Sequence, residues 1–151
     1  VFIADETGNL TIGGFGGTSQ NVVKRAMKSV EYPVIGGVTG HVFETGEGVV
    51  INDVLQDKRY TPIKGWQAGS EMSVAIREGT KILGIIDVES SSRNAFTHND
   101  YIALESLAGI LATVITSADQ YQRLQITISF FIFLGLFFGA FVVIMTIAFY
   151  N

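Results

Sequence analysis

From Leu124 to Tyr150 the chain carries no Asp, Glu, Lys, Arg or His. Wound as an α-helix rising 1.5 Å per residue, such a stretch is about 40 Å long, against a hydrocarbon core about 30 Å thick. A backbone inside lipid must close its own hydrogen bonds, so a single segment can cross only as a helix. The core helix of a soluble protein rarely stays apolar for so long, and Phe130 to Met145 lacks a polar side chain altogether. The expectation is a soluble domain over residues 1–122 and one transmembrane helix over 123–151, with Tyr121 and Tyr150 as interfacial aromatics. Arg123 is the only basic residue near either end of the span. The positive-inside bias then predicts a single-pass protein of the cell membrane with its soluble domain in the cytoplasm. Within the span, Gly135 and Gly139 frame the sequence GLFFG. Small residues four apart let two helix backbones approach, so these glycines are candidate contacts of a homodimer.

All 24 formally charged residues, 10 basic and 14 acidic, lie at or before Arg123 and leave a net charge of −4. That balance speaks against a nucleic-acid partner, which would call for clustered Lys and Arg. Cysteine is absent. Disulfide scaffolds, cysteine zinc sites and thiol nucleophiles are thereby excluded. The chain opens on Val in the middle of an apolar run, which predicts a fragment trimmed at its front.

Val1 to Ala4 and Leu10 to Phe15 are apolar runs around the turn-rich Asp5–Asn9, the pattern of a β-hairpin. Gly13-Gly14-Phe15-Gly16-Gly17 has neither the Gly-Lys-Ser/Thr ending nor the GxGxxG spacing of a phosphate loop and reads as a turn. Ser19 can cap a helix with Val22, Val23, Ala26, Met27 and Val30 on one face and Lys24, Arg25 and Lys28 on the other, ended by Pro33. A short helix over Val38–Thr45, closed by Gly46, precedes a strand at Val49–Ile51. Asp53 with Gln56 fits a capping box, and residues 57–69 form a loop anchored by Tyr60, Pro62, Ile63 and Trp66. Met72, Val74 and Ile76 alternate with Ser73, Ala75 and Arg77, the period of a half-buried strand. The chain turns at Glu78-Gly79-Thr80 and returns along Lys81–Glu89, predicting antiparallel pairing. Thr97 and Asp100 cap a last soluble helix, with Leu104, Leu107, Leu111, Val114, Ala118 and Tyr121 at alternating three- and four-residue intervals. That stripe reads equally as a dimer seam and as a core face; Leu104 and Leu111 are its candidate dimer contacts.

Groups that could do chemistry are sparse. His41 and His98 are the only histidines, and no metal-ligand cluster emerges from the spacing. Asp87 and Glu89 share one face of a strand and read as a solvated strand end rather than a catalytic dyad. Ser90-Ser91-Ser92 lacks a paired base, so no nucleophile–base–orienter set can be assembled and no enzyme is expected.

Taken in order, these elements resemble a GAF domain, the small-molecule-sensing relative of PAS domains. The resemblance rests on GVTGHVFETGEGVVINDVLQDKRY at residues 37–60, SEMSVAIREGTKILGIIDVES at 70–90 and FTHNDYIALESLAGILATVI at 96–115. It implies an α+β fold, an antiparallel sheet with flanking helices, here without the family's additional N-terminal helix and with Ala75 where proline often stands. Branches that reduce methionine sulfoxide or carry bilins use cysteines, which this chain lacks. Cyclic-nucleotide binders carry Asn-Lys and a downstream Phe-x-x-x-Asp-Glu; here Phe96 and Asp100 are present, but Tyr101 replaces the acid and no Asn-Lys occurs. By resemblance, the ligand-binding candidates are Ile51, Asp53, Tyr60, Trp66, Glu71 and Ser73, although Asp53 serves equally as a cap and Trp66 as a loop anchor. The function implied is a membrane-tethered sensory or regulatory module of a larger signalling protein. It would bind a small molecule of unknown identity, with its cofactors, if any, unknown, and pass the signal through its C-terminal helix. The alternatives are a dimerisation module that binds no ligand, or an enzyme of unrecognised class.

Overall fold

The computed structural model describes residues 1–5, 8–17, 36–62 and 66–150, and the side chains of these except 142, 143 and 145–150. The helix expected after Ser19 and the loop anchor Ile63 lie outside the described residues. Two compact units are present, Val1–Thr113 and Val114–Asn151.

The first unit is built on five antiparallel strands. β1 (Phe2–Ala4), β2 (Leu10–Ile12), β3 (Val49–Ile51), β4 (Ser70–Glu78) and β5 (Lys81–Ser90) lie in the order β2-β1-β5-β4-β3. The hairpin β1–β2 closes through Asp5, whose amide donates to the Asn9 carbonyl at 2.8 Å and whose carboxylate accepts from the Asn9 amide at 2.9 Å. Helix α1 (Gly37–Thr45) ends at Gly46, which adopts φ 72° and donates its amide to the Val42 carbonyl at 2.8 Å, a left-handed cap that favours glycine. Its inner side chain Val42 packs with Leu10 and Ile85, beside Phe2, Phe43, Val49 and Ala75.

Strand alternation assigns the sheet's two faces. Ile51 pairs with Glu71 and Val49 with Ser73; Glu71 pairs with Glu89, Ser73 with Asp87 and Ala75 with Ile85. These residues share the face covered by α1 and by the segment after β3. Met72, Val74, Ile76 and Ile86 point to the opposite face. The expectation of a half-buried β4 fails, because Ser70 to Val74 are buried without interruption. Both faces of the strand are covered, so its polar positions are enclosed along with its apolar ones.

After β3 the chain forms a 3₁₀ turn, Val54–Gln56, rather than an α-helical start. Asp53 caps it, its carboxylate accepting from the Leu55 amide at 3.2 Å. The turn is tied down when the Val54 amide donates to the Gly69 carbonyl at 3.1 Å and the Gly69 amide to the Ser90 carbonyl at 2.6 Å. Ser70 Oγ donates to the Ser92 carbonyl at 2.8 Å, fixing the loop after β5. Helix α2 (His98–Tyr150) opens on the expected cap: the Asp100 amide donates to Thr97 Oγ1 at 3.3 Å and the Thr97 amide to Asp100 at 2.7 Å.

Burial divides the expected α2 stripe in two. Ala108 and Ala112 are buried and Leu104 and Leu111 half-buried on one side, whereas Leu107, Ile110 and Val114 are exposed. Leu104 and Leu111 therefore face the interior side of the helix. The second unit consists of α2 beyond Thr113. Phe130, Phe131, Phe133, Leu136, Phe137 and Phe138 are each at least 60% exposed, and no atom lies within 4 Å of a side chain added at Gly135 or Gly139. Among the described residues one helix is long and apolar enough to cross a membrane, with a window of mean hydropathy 2.1 and none of it buried.

Candidate functional site

The shared sheet face gathers three carboxyl groups. Glu71 on β4 and Asp87 and Glu89 on β5 each offer an oxygen, and these oxygens lie within 4.8 Å of one another. Glu71 is 4% exposed and Ser73, beside it, fully buried. Neither Ser73 Oγ nor Asp87 Oδ1 closes a hydrogen bond, although both are sealed from solvent. Two unsatisfied polar atoms in one enclosed spot are costly, and a bound donor would relieve both.

The electrostatics follow from crowding. Burial, and then the neighbouring Asp87 charge, push the Glu71 carboxyl far above the usual carboxylate range. Burial also raises Asp87, while the facing Glu71 carboxyl favours its charged form. Glu71 is thus the proton holder and Asp87 the anion it faces, a pair that shares one proton because two charges cannot be accommodated. Glu89 is pushed up to about 7 by burial and by Asp87, with the Trp66 indole N–H opposing the shift.

The cover over this face is aromatic. Tyr60 and Trp66 pack against a cluster of Val38, Ile51, Val54 and Ala68, and the Tyr60 hydroxyl accepts from the Ala68 amide at 3.3 Å. A fork from Arg59 to Asp57, at 2.9 and 2.6 Å, stiffens the approach to Tyr60 and holds Asp57 down to about 2. Beside these side chains opens a cleft of about 670 Å³ lined by Val54, Leu55, Asp57, Tyr60, Pro62, Trp66 and Gln67. Tyr60 and Trp66 join cleft and carboxyl cluster. An all-oxygen set beside Trp66 and Tyr60 suits an ammonium group or a hard cation and disfavours soft metals.

Five of the six expected ligand residues, Ile51, Tyr60, Trp66, Glu71 and Ser73, come together on this face. Asp53 stands apart, turned to the Leu55 amide and to Arg93 at 3.4 Å. Asp87 and Glu89 correct the reading of a solvated strand end: they point inward at Glu71. The spacing search for ligand clusters missed this group because its third member comes from the neighbouring strand.

Comparison with known proteins agrees with this architecture. A family model described as GAF domain matches residues 1–116. No curated protein matches the chain. Among solved structures, the free methionine-R-sulfoxide reductase of Neisseria meningitidis, in complex with its substrate, is similar at 26% identity and TM-score 0.54, covering 59% of this chain and 53% of its own. A solved GAF domain matches at 25% identity and TM-score 0.59, covering 74% and 60%. The GAF domain of a phosphoenolpyruvate-protein phosphotransferase from Coxiella burnetii matches in fold at 19% identity and TM-score 0.65, covering 81% and 73%. The chain thus spans little more than half the length of the first of these and three-fifths of the second.

Proposed function

Because this chain belongs to the GAF domain family of sensory and regulatory modules, we propose that it senses a small amine-bearing metabolite, with a free amino acid as the favoured class. The observation that carries this reading is the enclosed trio Glu71, Asp87 and Glu89, with Ser73 Oγ and Asp87 Oδ1 left without partners. A primary ammonium has three N–H donors and one charge, which matches three oxygen acceptors around one point. Trp66 and Tyr60 supply the aromatic wall that stabilises such a cation further, and the cleft takes the remainder of the molecule. The similar reductase from Neisseria acts on free methionine sulfoxide, itself an amino acid. This chain carries no cysteine to supply thiol electrons, so the reading is recognition without turnover.

The experiment is a thermal-shift panel on the detergent-solubilised chain, with free amino acids set beside their N-acetyl counterparts, which lack the ammonium. A true ligand at a hundredfold excess over its Kd stabilises by about 2.7 kcal/mol. The reading fails when no amine shifts the transition, or when N-acetylated partners shift it equally.

The same proposal places α2 beyond Arg123 in the membrane, tethering the domain on the cytoplasmic face, with Gly135 and Gly139 available to pair two chains. The exposed, charge-free surface of that helix supports this. Leu136→Arg sets a charge at mid-span, where lipid opposes it. The parent chain should stay with carbonate-washed membranes and the variant should be retained less completely; release of the parent chain into the supernatant refutes the span.

A further inference from the structure

The three carboxyl groups hold an ammonium less well while Glu71 keeps its proton. A protonated Glu71 donates its O–H toward Asp87, which occupies a lone pair of Asp87 and leaves Glu71 itself only a weakly accepting carbonyl oxygen. With the three oxygens within 4.8 Å of one another and Glu71 4% exposed, the positive charge of a cation held among them opposes the shared proton. Resting on the amine reading above, we propose that ligand and proton are exchanged at this cluster, so that its occupancy reports metabolite level and pH together. In the exchange the Glu71 O–H bond breaks, the proton leaves to solvent, and three N–H···O contacts form to Glu71, Asp87 and Glu89. No electrons move, and where Glu89 is already ionised the charge of the site is conserved, one monovalent cation replacing another; at lower pH Glu89, which is pushed up to about 7, gives up its proton as well.

The groups that face the cluster leave this balance in place. Asp57 from the covering loop adds negative charge, but it is paired with Arg59, whose own charge also reaches Glu71. Tyr60 contributes a neutral hydroxyl and Trp66 an indole N–H. Ser73 supplies a hydroxyl able to accept from the incoming cation once Asp87 has turned toward it.

Methylammonium is the probe, with tetramethylammonium, which has no N–H, as control at equal ionic strength. Apparent Kd is read by thermal shift on the full chain in detergent at pH 6, 7 and 8. The expected result is a methylammonium Kd that tightens at least tenfold from pH 6 to pH 7, the slope of the one proton that Glu71 exchanges plus the share that Glu89 gives up, with no such trend for the control. Glu71→Gln should flatten the fall of log Kd with pH by about one log unit per pH unit, and Glu71→Asp, which keeps a carboxyl, should restore it. Binding that is equally tight at all three pH values overturns the exchange and leaves the amine site standing. Failure of methylammonium at every pH, together with a Glu71→Gln variant that behaves as the parent, overturns both.

Discussion

Between pH 5 and pH 8 the ligand-free protein should lose about 2–4 kcal/mol of stability, the reverse of ordinary carboxylate behaviour. A salt-bridged Asp or Glu has a depressed folded pKa and destabilises the fold as pH falls. Here the sign is opposite. Glu71, Asp87 and Glu89 are all raised above their unfolded values, chiefly by burial. The folded state therefore binds more protons than the unfolded chain above pH 4.5. The stability they contribute is complete below that point and drains away as pH climbs through about 7 for Glu89, and higher for Glu71. Partial solvent contact at Glu89 trims its share, which is why the loss is set below the full value of the shift. For a domain of this size the melting temperature should fall by roughly 10 °C. The double variant Glu71→Gln, Glu89→Gln should lose most of the slope. Urea titrations at three pH values check this, and a parent protein at least as stable at pH 8 as at pH 5 would refute the protonated cluster.

Gly69→Val should cost about 3 kcal/mol, a drop of roughly 10 °C. A side chain at this position would meet Ser91 O and Ser92 C at 2.6 Å and Arg93 N at 2.8 Å, all backbone atoms that cannot swing aside. The same residue carries both backbone bonds that hold the 3₁₀ turn to β5. Displacing it moves Ala68 and Trp66 off the carboxyl face, so ligand-induced stabilisation should vanish together with the stability. Gly14→Ala, with open space around it, is the control and should change the transition by less than about 0.5 kcal/mol. Equal effects from the two substitutions would mean that the cover is not held at Gly69.

Much of the fold was legible in the residues, and the site only in part. Period-two alternation in β4 and β5, the glycine after α1 and the Thr97–Asp100 cap are local signals, and each appears where the sequence puts it. The carboxyl cluster is not local. Counting back from the turn, Glu78 opposite Lys81 would set Glu71 against Val88, with Glu89 on the other face. A bulge between Ile76 and Arg77 advances the register by one residue and brings Glu71 opposite Glu89. One-residue shifts of this kind invert every facing relation beyond them, and the sequence carries no strong sign of this one. The enclosure of β4 was missed for a related reason: Ser and Glu at alternate positions look solvated until covering residues from 54–62 and 66–69 close over them. The α2 stripe was ambiguous because two helix faces, one inward and one exposed, overlap at heptad-like spacing over so few turns.

The two-sided hairpin β4–β5 has a further consequence for how such a module diversifies. Under the proposed function, positions 71, 73, 87 and 89 would address the ligand, while 72, 74, 86 and 88 would answer only to folding. Guest preference can drift through the first set by single substitutions, leaving the second set's contribution intact. A lineage could thus acquire new chemical vocabulary on an unaltered scaffold, residue by alternate residue.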